Sequence, residues 1–490
     1  MNPSLIKYLR KFAVIILIAT RRVPYVPEFV KEEIREQVRA EVKDDVVKDV
    51  MQQAKNEKWG TPDALPEWLS RISFNGDIRL RYQGDYFASE NVQGSYINWQ
   101  EVNQSGGLSK AGQDAFLNVT DNDKRFRERL RLGMDARITD SLKAGVKFTT
   151  GNTNNPVSTN QTLGNYNNRY QVVMDEAYLR YDWSRYDGKT DAYPWLTLWG
   201  GRFPNPFFHT DLVWDSDVGF EGAAATYRTR LARETAANAY IPALFATAGA
   251  FVVQENQDNC NTKWLYAGQV GGDWTFAGAA EEPSKFKLGL AYYDYRNIEG
   301  KPNPLGSQEN DCTAPEFIQK GNSLMRISND VGELPSDPRL VGLAADFNIL
   351  NLTGSWDIAR FSPTHLVLTA DYARNLGFDK DEIRKRTGES INPDIDAYQL
   401  LATLGRLKLR RYGDWQVFAG YKRLERDSVL DAFTDSDFHL GGTDAKGWLL
   451  GGSYGLMANT WLTVRWMSTD AIADPPLGVD TLQLDLNAKF

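Results

Sequence analysis

The chain has 490 residues, a formal net charge of -8 and 24% charged residues. This acidic balance argues against general nucleic-acid binding, and no apolar run reaches the roughly 18–20 residues that a membrane-spanning helix needs. Aromatic residues make up 12% of the chain and glycines number 40, which leaves a large β structure as the favoured class.

The first 20 residues are predicted to be a signal-peptide-like segment. Lys7, Arg10 and Lys11 precede an apolar run over residues 12–19, in the order that an export signal requires. Arg21 and Arg22 stand where a small-residue cleavage site is expected.

Residues 24–67 are predicted to form a periplasmic helical or coiled-coil segment and a linker. Valine or isoleucine recurs at every fourth residue from Val30 to Val50. A spacing of four lags behind 3.6 residues per turn, so the apolar stripe drifts around the helix. Two interpretations stay open: a stalk that oligomerises the chain, and a solvated amphipathic helix.

Residues 68–490 are predicted to be all-β. The strongest pattern lies at residues 126–138, where Leu130, Leu132 and Met134 alternate with charged residues such as Arg129 and Arg131. Such alternation places two chemistries on opposite faces of one strand.

Candidate strands continue to the last residue, and their connections are of two kinds. Some are short turns, while others are long polar stretches rich in Asn, Gly and Asp, such as 83–124 and 297–339. Short turns at one end and long loops at the other are typical of a transmembrane antiparallel up-and-down β-barrel. Such barrels use even strand numbers, so about 16 strands are predicted, with 18 as the alternative. One of these candidates is placed at residues 341–349.

The arginines must face water inside this barrel. An arginine on the lipid face near the bilayer midplane costs roughly 2–4 kcal/mol, and several in one strand would rival the stability of a domain. The lumen is therefore predicted to be wet and wide. The predicted pore-lining cations are Arg79, Arg81, Arg127, Arg129, Arg131, Arg137, Lys143, Lys147, Arg180 and Arg465.

A constricting loop is predicted near residues 201–217, because Pro204 and Pro206 disfavour a continuing strand. The acidic candidates for this constriction are Asp211, Asp215, Asp217 and Glu221. Two hypotheses stay open for the lumen. A basic wall could face these acids across the pore and favour anions, or the cations could pair locally with Asp77, Glu128 and Asp135 and select weakly.

The last strand alternates from Leu482 to the terminal Phe490. This pattern looks like the terminal assembly signal of outer-membrane barrels, so Phe490 is predicted to be read by the barrel-assembly machinery.

No catalytic residue, metal site or cofactor is predicted. The three histidines lie at His209, His365 and His439, far from any i, i+4 pair, and no nucleophile elbow or P-loop occurs. The two cysteines, Cys260 and Cys312, could form a loop disulfide or remain two separate thiols.

The chain resembles the putative porin family of diderm bacteria over residues 68–490. The resemblance is carried by residues 74–82, 127–132, 150–156, 201–207 and 211–217, and by Phe490. It implies an outer-membrane channel whose substrate is generally unassigned.

The predicted function is passive diffusion of small hydrophilic solutes, with a weak anion preference. The alternative is a structural protein that tethers the outer membrane to the cell wall through the N-terminal helix. The predicted partners are the outer-membrane bilayer, the solutes, the assembly machinery, further copies of the chain in a trimer, and peptidoglycan in the tether alternative. Nucleic acid is not among them.

Overall fold

The computed structural model describes residues 69–184, 194–231, 240–256, 260–276, 282–473 and 475–490. The predicted signal-like segment and the predicted helical segment at 24–67 lie outside the described residues. Within them the chain forms a closed antiparallel barrel of sixteen strands. The predicted fold class and strand number are confirmed.

The sixteen barrel strands are numbered here in chain order. They are β1 (Ile72–Phe87), β2 (Asp123–Arg137), β3 (Leu142–Thr150), β4 (Val172–Ser184), β5 (Pro194–Pro204), β6 (Gly219–Arg230), β7 (Tyr240–Gln254), β8 (Lys263–Phe276), β9 (Ser284–Arg296), β10 (Asn348–Phe361), β11 (Thr364–Asn375), β12 (Asp396–Gly405), β13 (Trp415–Leu424), β14 (Ala445–Met457), β15 (Thr460–Ala471) and β16 (Gly478–Lys489).

Each strand pairs with its neighbours in sequence, and β1 closes the ring by pairing with both β2 and β16. In the β1–β16 register Asp77 lies opposite Lys489 and Phe87 lies opposite Val479. Closure leaves no open sheet edge, which a strand surrounded by lipid could not tolerate.

The predicted strand at 341–349 is misplaced. The structure has β10 at Asn348–Phe361, and only Val341–Leu343 forms a short strand, paired with Leu324–Arg326 inside a loop. Val341 and Leu343 are buried in that loop, which explains their apolar character. β10 itself alternates as a barrel strand does, with Asn351 and Thr353 inward and Leu352 outward, so the misplacement comes from the apolar loop run that precedes it.

The six connections of fourteen or more residues all lie at one end of the barrel, called here the loop end, and those at the other end, the turn end, have at most nine residues. The loops are L1 (88–122), L2 (151–171), L3 (205–218), L4 (255–262), L5 (297–347), L6 (376–395), L7 (425–444) and L8 (472–477). In outer-membrane barrels the long loops are extracellular and the short turns are periplasmic.

Short helices lie in the loops and directly before β1. The described helices are Leu69–Arg71, Trp99–Ser105, Leu108–Ala111, Gly112–Ala115, Asp311–Thr313, Lys380–Thr387, Asp431–Phe433 and Phe438–Leu440, and a two-residue strand, Gln161–Thr162, pairs with β2. None of the described helices has the length and apolarity to cross a membrane.

The terminal Phe490 is tied to the first strand. Its backbone N–H donates to the Gly76 carbonyl at 3.0 Å and its carbonyl accepts from the Gly76 N–H at 3.0 Å. A Cβ at position 76 would come within 2.6 Å of the Phe490 ring, so glycine is needed for this approach. The role of Phe490 as an assembly signal stays a prediction.

Cys260 and Cys312 form a disulfide, with Cα atoms 6.0 Å apart. The bond links L4 to L5. The alternative of two separate thiols is therefore wrong.

Candidate lumenal site

The two faces of the strands differ as their alternation requires. Arg81 is 2% exposed, whereas its neighbour Leu80 is 49% exposed, and Leu486 on the adjacent strand is 40% exposed. The apolar side chains of these strands thus cover the outside of the barrel and the guanidinium groups lie within it.

Five of the predicted cations form one patch, called here the basic wall: Arg79, Arg81, Arg127, Arg129 and Arg131. The β1–β2 register brings them together, because Arg79 pairs with Arg129 and Arg81 with Arg127. Residues directly opposite in an antiparallel pair share one face.

Arg81 is the centre of the most buried charge cluster. Its Nε and Nη2 donate to the two carboxylate oxygens of Asp485 at 2.7 and 2.9 Å. Its Nη1 reaches both oxygens of Asp437, in L7, at 2.9 and 2.8 Å. Two bidentate carboxylates therefore compensate one buried guanidinium.

Asp77 compensates two other arginines of the basic wall, nearer the turn end of β1. Its carboxylate accepts from Arg129 Nη2 at 2.8 Å and from Arg131 Nε at 2.9 Å. The hypothesis of local pairing is correct for this acid. Glu128 differs: it lies opposite the exposed Leu80 in the register and so shares the outer face, away from the arginines.

The other predicted cations lie near the basic wall or the turn end. Lys143 is 3.4 Å from Asp182, Lys147 is 2.8 Å from Asp175, Arg180 is 2.9 Å from Asp182, and Arg465 is 3.6 Å from Asp437. Arg137, at the end of β2, is exposed.

Arg127 is the exception within the basic wall. Its Nη1 lies 3.3 Å from Gln83 Oε1 and its Nη2 lies 3.4 Å from Ser158 Oγ, and both partners are neutral. Among the described residues no carboxylate lies within 4.0 Å of it. The charge of Arg127 is therefore less offset by neighbouring carboxylates than that of Arg81, Arg129 or Arg131.

L3 crosses the interior of the barrel. The Phe208 N–H donates to Gln269 Oε1 on β8 at 2.8 Å. The Asp211 carboxylate accepts from Gln399 on β12 at 2.8 Å and lies 3.1 Å from Lys422 Nζ on β13. L3 connects β5 with β6, which lie nearly opposite β12 and β13 in the ring, so the loop spans the lumen.

Aromatic packing fixes the middle of L3. The Trp214 ring lies 4.8 Å from Phe220, 5.3 Å from Tyr293 and 5.5 Å from Phe433, measured between centroids. Trp214 is only 1% exposed. These contacts hold L3 against β6, β9 and L7.

The predicted acids of the constriction lie in two places. Asp217 is 3.4 Å from Arg131 and accepts from the Thr159 N–H at 3.2 Å, so it joins L3 to the basic wall and L2. Glu221 instead belongs to β6, where it pairs with Arg202. Glu221 is thus outside the L3 segment.

L7 also reaches the lumen, which the sequence analysis missed. Ser436 N–H donates to Asp215 at 2.9 Å, and Asp435 lies 3.2 Å from Lys422. Asp435 and Asp437 stand in a polar loop stretch that resembles any solvated connection, and only their partners on distant strands distinguish them. L3 and L7 together form a crosspiece within the barrel.

The acids of the crosspiece titrate differently. Burial, with Asp435 and Asp217 nearby, raises the pKa of Asp215 to about 8. Burial acts in the same sense on Asp211 and Asp437, but Lys422 outweighs it for the first and Arg81 for the second, so both pKa values lie well below the ordinary range.

Cavities lie on both sides of the crosspiece. One of 810 Å³ opens between the loops, and one of 300 Å³ lies on the turn side against β1–β3. Both are lined by Asp217 and Val218. A third, of 360 Å³, lies beside Arg127 and Gln83. Among the described residues no group of three His, Cys, Asp or Glu side chains is arranged to hold a metal ion.

The sequence profile of the putative porin family matches residues 17–490. The chain belongs to the putative porin family. This membership places the porin in the outer membrane and, with the barrel, indicates a channel rather than an enzyme.

Several solved structures resemble this porin in fold. OprB of Pseudomonas putida is 12% identical, with a TM-score of 0.45, over 86% of this chain and 96% of that one. OpdQ of Pseudomonas aeruginosa is 10% identical, with a TM-score of 0.39, over 86% and 99%. The outer membrane channel DcaP of Acinetobacter baumannii is 11% identical, with a TM-score of 0.37, over 86% and 98%. No curated protein sequence matches the porin.

Proposed function

We propose that this porin is a water-filled channel through which small hydrophilic solutes diffuse passively, with a weak preference for anions. The observation that carries the proposal is the pair of cavities on the two sides of the crosspiece of a closed sixteen-strand barrel. Barrels of this size have room for an aqueous channel.

The proposed path runs along the basic wall. The 810 Å³ and 300 Å³ cavities have Asp217 and Val218 in common, so a solute moving between them passes the Arg131–Asp217 pair. Arg131 of the basic wall lies on one side of this passage, and Asp217 of L3 lies on the other. A solute there would experience a transverse field.

Pairing explains why the preference would be weak. Arg81, Arg129 and Arg131 each hold a carboxylate within 3.0 Å, which offsets their charge. Arg127 has only neutral partners and faces the 360 Å³ cavity. Cationic side chains at a narrow place favour anions by direct electrostatics.

The test is the reversal potential of the purified porin in a planar bilayer under a KCl gradient. We expect chloride to be favoured, and Arg127→Gln to reduce the preference. Lys446→Gln is the matched control, because Lys446 lies on β14 in line with the 58% exposed Trp448, on the outer face. A cation preference of the wild type would defeat the anion assignment, and a wild type that does not conduct would defeat the channel.

The tether alternative depends on the helical segment at 24–67, which lies outside the described residues. Deleting residues 1–59 separates the two functions: a channel keeps its conductance, whereas a tether loses envelope integrity. The trimer and the contact with peptidoglycan stay predictions.

A further inference from the structure

A cavity of 460 Å³ lies on the turn side of L3, away from the basic wall. It is enclosed by the start of L3 and by strands β6 to β9. Its chemistry comes from two cations, Arg228 and Lys287, and from the rings of Phe208 and Phe245, with Asp273 and His209 also at its boundary.

The two cations of this cavity lack the partners that the basic wall has. Within the described part of the chain, no ion pair of 4.0 Å or less joins Arg228 or Lys287 to a carboxylate. The register even places Asp273 directly opposite Lys287 on the neighbouring strand. The Lys287 ammonium nevertheless lies more than 4.0 Å from the carboxylate oxygens of that acid.

The Lys287 ammonium lies against two phenyl faces instead. Its Nζ is 4.3 Å from the centroid of Phe208, in L3, and 5.1 Å from that of Phe245, on β7. Cation–π contact stabilises the charge, and within the described residues the three N–H donors of Lys287 have no hydrogen-bond acceptor. Arg228 pairs with Phe245 in the β6–β7 register, so its guanidinium lies on the same side of the sheet as this ring.

The cavity thus places the cationic hydrogen-bond donors of Lys287 and Arg228 beside the apolar rings of Phe208 and Phe245. His209 adds no positive charge near neutral pH, because burial lowers its pKa. Two cations against one acid leave a net positive charge at its walls. A neutral carbonyl could accept hydrogen bonds from these donors, but a carboxylate would accept stronger ones, because both partners would be charged.

We propose that this cavity is a binding subsite for small aromatic carboxylates, with Lys287 and Arg228 holding the carboxylate and Phe208 and Phe245 packing against the ring. The proposal deepens the proposed function, on which it rests for the route by which the solute arrives. A solute that has passed L3 along the pore would meet this subsite at the periplasmic mouth, so the subsite would retain aromatic anions there.

The test is titration calorimetry of the purified porin in detergent with sodium benzoate, compared with acetate, which lacks the ring, and benzamide, which lacks the charge. We expect benzoate to bind in the millimolar range and the two comparison probes to bind at least about tenfold more weakly, because each loses one of the two kinds of contact. Equal binding of benzoate and benzamide, or of benzoate and acetate, would overturn the proposal.

Variants then locate the site. Lys287→Met is expected to raise the benzoate dissociation constant about tenfold or more, Arg228→Gln to raise it less, and Lys446→Gln to leave it unchanged. Arg228 is exposed, so its variant remains informative if Lys287→Met fails to fold. Unchanged benzoate binding in both lumenal variants would sink the assignment.

Calorimetry measures binding without ion flow, so it tests the subsite independently of the bilayer measurement that tests the channel. A wild type that binds benzoate but does not conduct in the bilayer would refute the channel and support the subsite. A wild type that conducts but gives no benzoate heat would refute the subsite alone.

Discussion

Two opposite walls of the lumen bury their side chains in different ways. On β1, β2 and β16 the interior is charged, and Arg81 is compensated by Asp485 and Asp437. On β6, β7 and β9 it is aromatic, with Phe220, Phe251 and Tyr293 packed together and onto Trp214. The crosspiece touches both walls. One wall therefore offers polar surface to a solute, and the other anchors the loop that narrows the space.

The largest loss in the free energy of unfolding is expected from replacing Arg81, the centre of the charged wall. Arg81→Met leaves Asp485 and Asp437 buried without their shared cation, and breaking a buried pair in this way costs about 3–5 kcal/mol. Urea unfolding of the porin in detergent micelles measures the loss.

Arg465→Met is the matched control for this change. Arg465 also approaches Asp437, at 3.6 Å, but its side chain is 32% exposed, and such pairs are worth about 0–1 kcal/mol. If both variants lose the same stability, burial does not set the strength of these pairs, and Arg81 is not the centre of the charged wall.

The next largest loss of stability is expected from a change in the aromatic wall. Trp214→Leu keeps part of the side-chain volume but removes the ring contacts with Phe220, Tyr293 and Phe433, so a loss of about 2–3 kcal/mol is expected, less than for truncation to alanine. The loosened L3 should also raise single-channel conductance.

Trp466→Leu is the control for the indole itself, because Trp466 is 40% exposed on the outer face. It should leave the conductance unchanged. A conductance that stays at the wild-type value in Trp214→Leu would show that the aromatic wall does not position L3.

The sequence predicted the charged wall better than the aromatic one, for a physical reason. Arg129 and Arg131 alternate with leucines, and period-two alternation in a strand directly gives the face of each side chain. Trp214 and Phe433 lie in loops, where no period exists, and their contact joins residues far apart in sequence. Asp435 and Asp437 were missed for the same reason. β10 was misplaced for a different one, because the buried loop residues Val341 and Leu343 gave the preceding segment an apolar pattern of its own.

The smallest effect on stability is expected for an ion pair that lies in a loop and not on a barrel wall. Glu333 in L5 accepts from Arg326 Nη2 at 2.7 Å and from the Asp330 N–H at 2.8 Å, and it also bonds the Ser328 hydroxyl. Burial would raise its pKa, but these hydrogen bonds outweigh it and lower the pKa to about 2. Because the folded pKa lies below the ordinary 4.5, the stabilisation is present above that value and is lost as the pH falls towards 2.

Glu333→Gln should therefore loosen L5 locally while the barrel keeps its stability. Hydrogen exchange of amides 326–340 at pH 6 should rise by up to about fivefold, which corresponds to about 1 kcal/mol for this partly buried pair. Glu389→Gln, an exposed change in L6, should leave these amides unaffected. In the wild type, exchange corrected for its intrinsic rate should rise only below about pH 4.5. Glu333→Gln could instead lower the global free energy of unfolding as much as Arg81→Met does. The loops and the walls would then form one cooperative unit, and the contribution of an ion pair to stability would not depend on its position in the barrel.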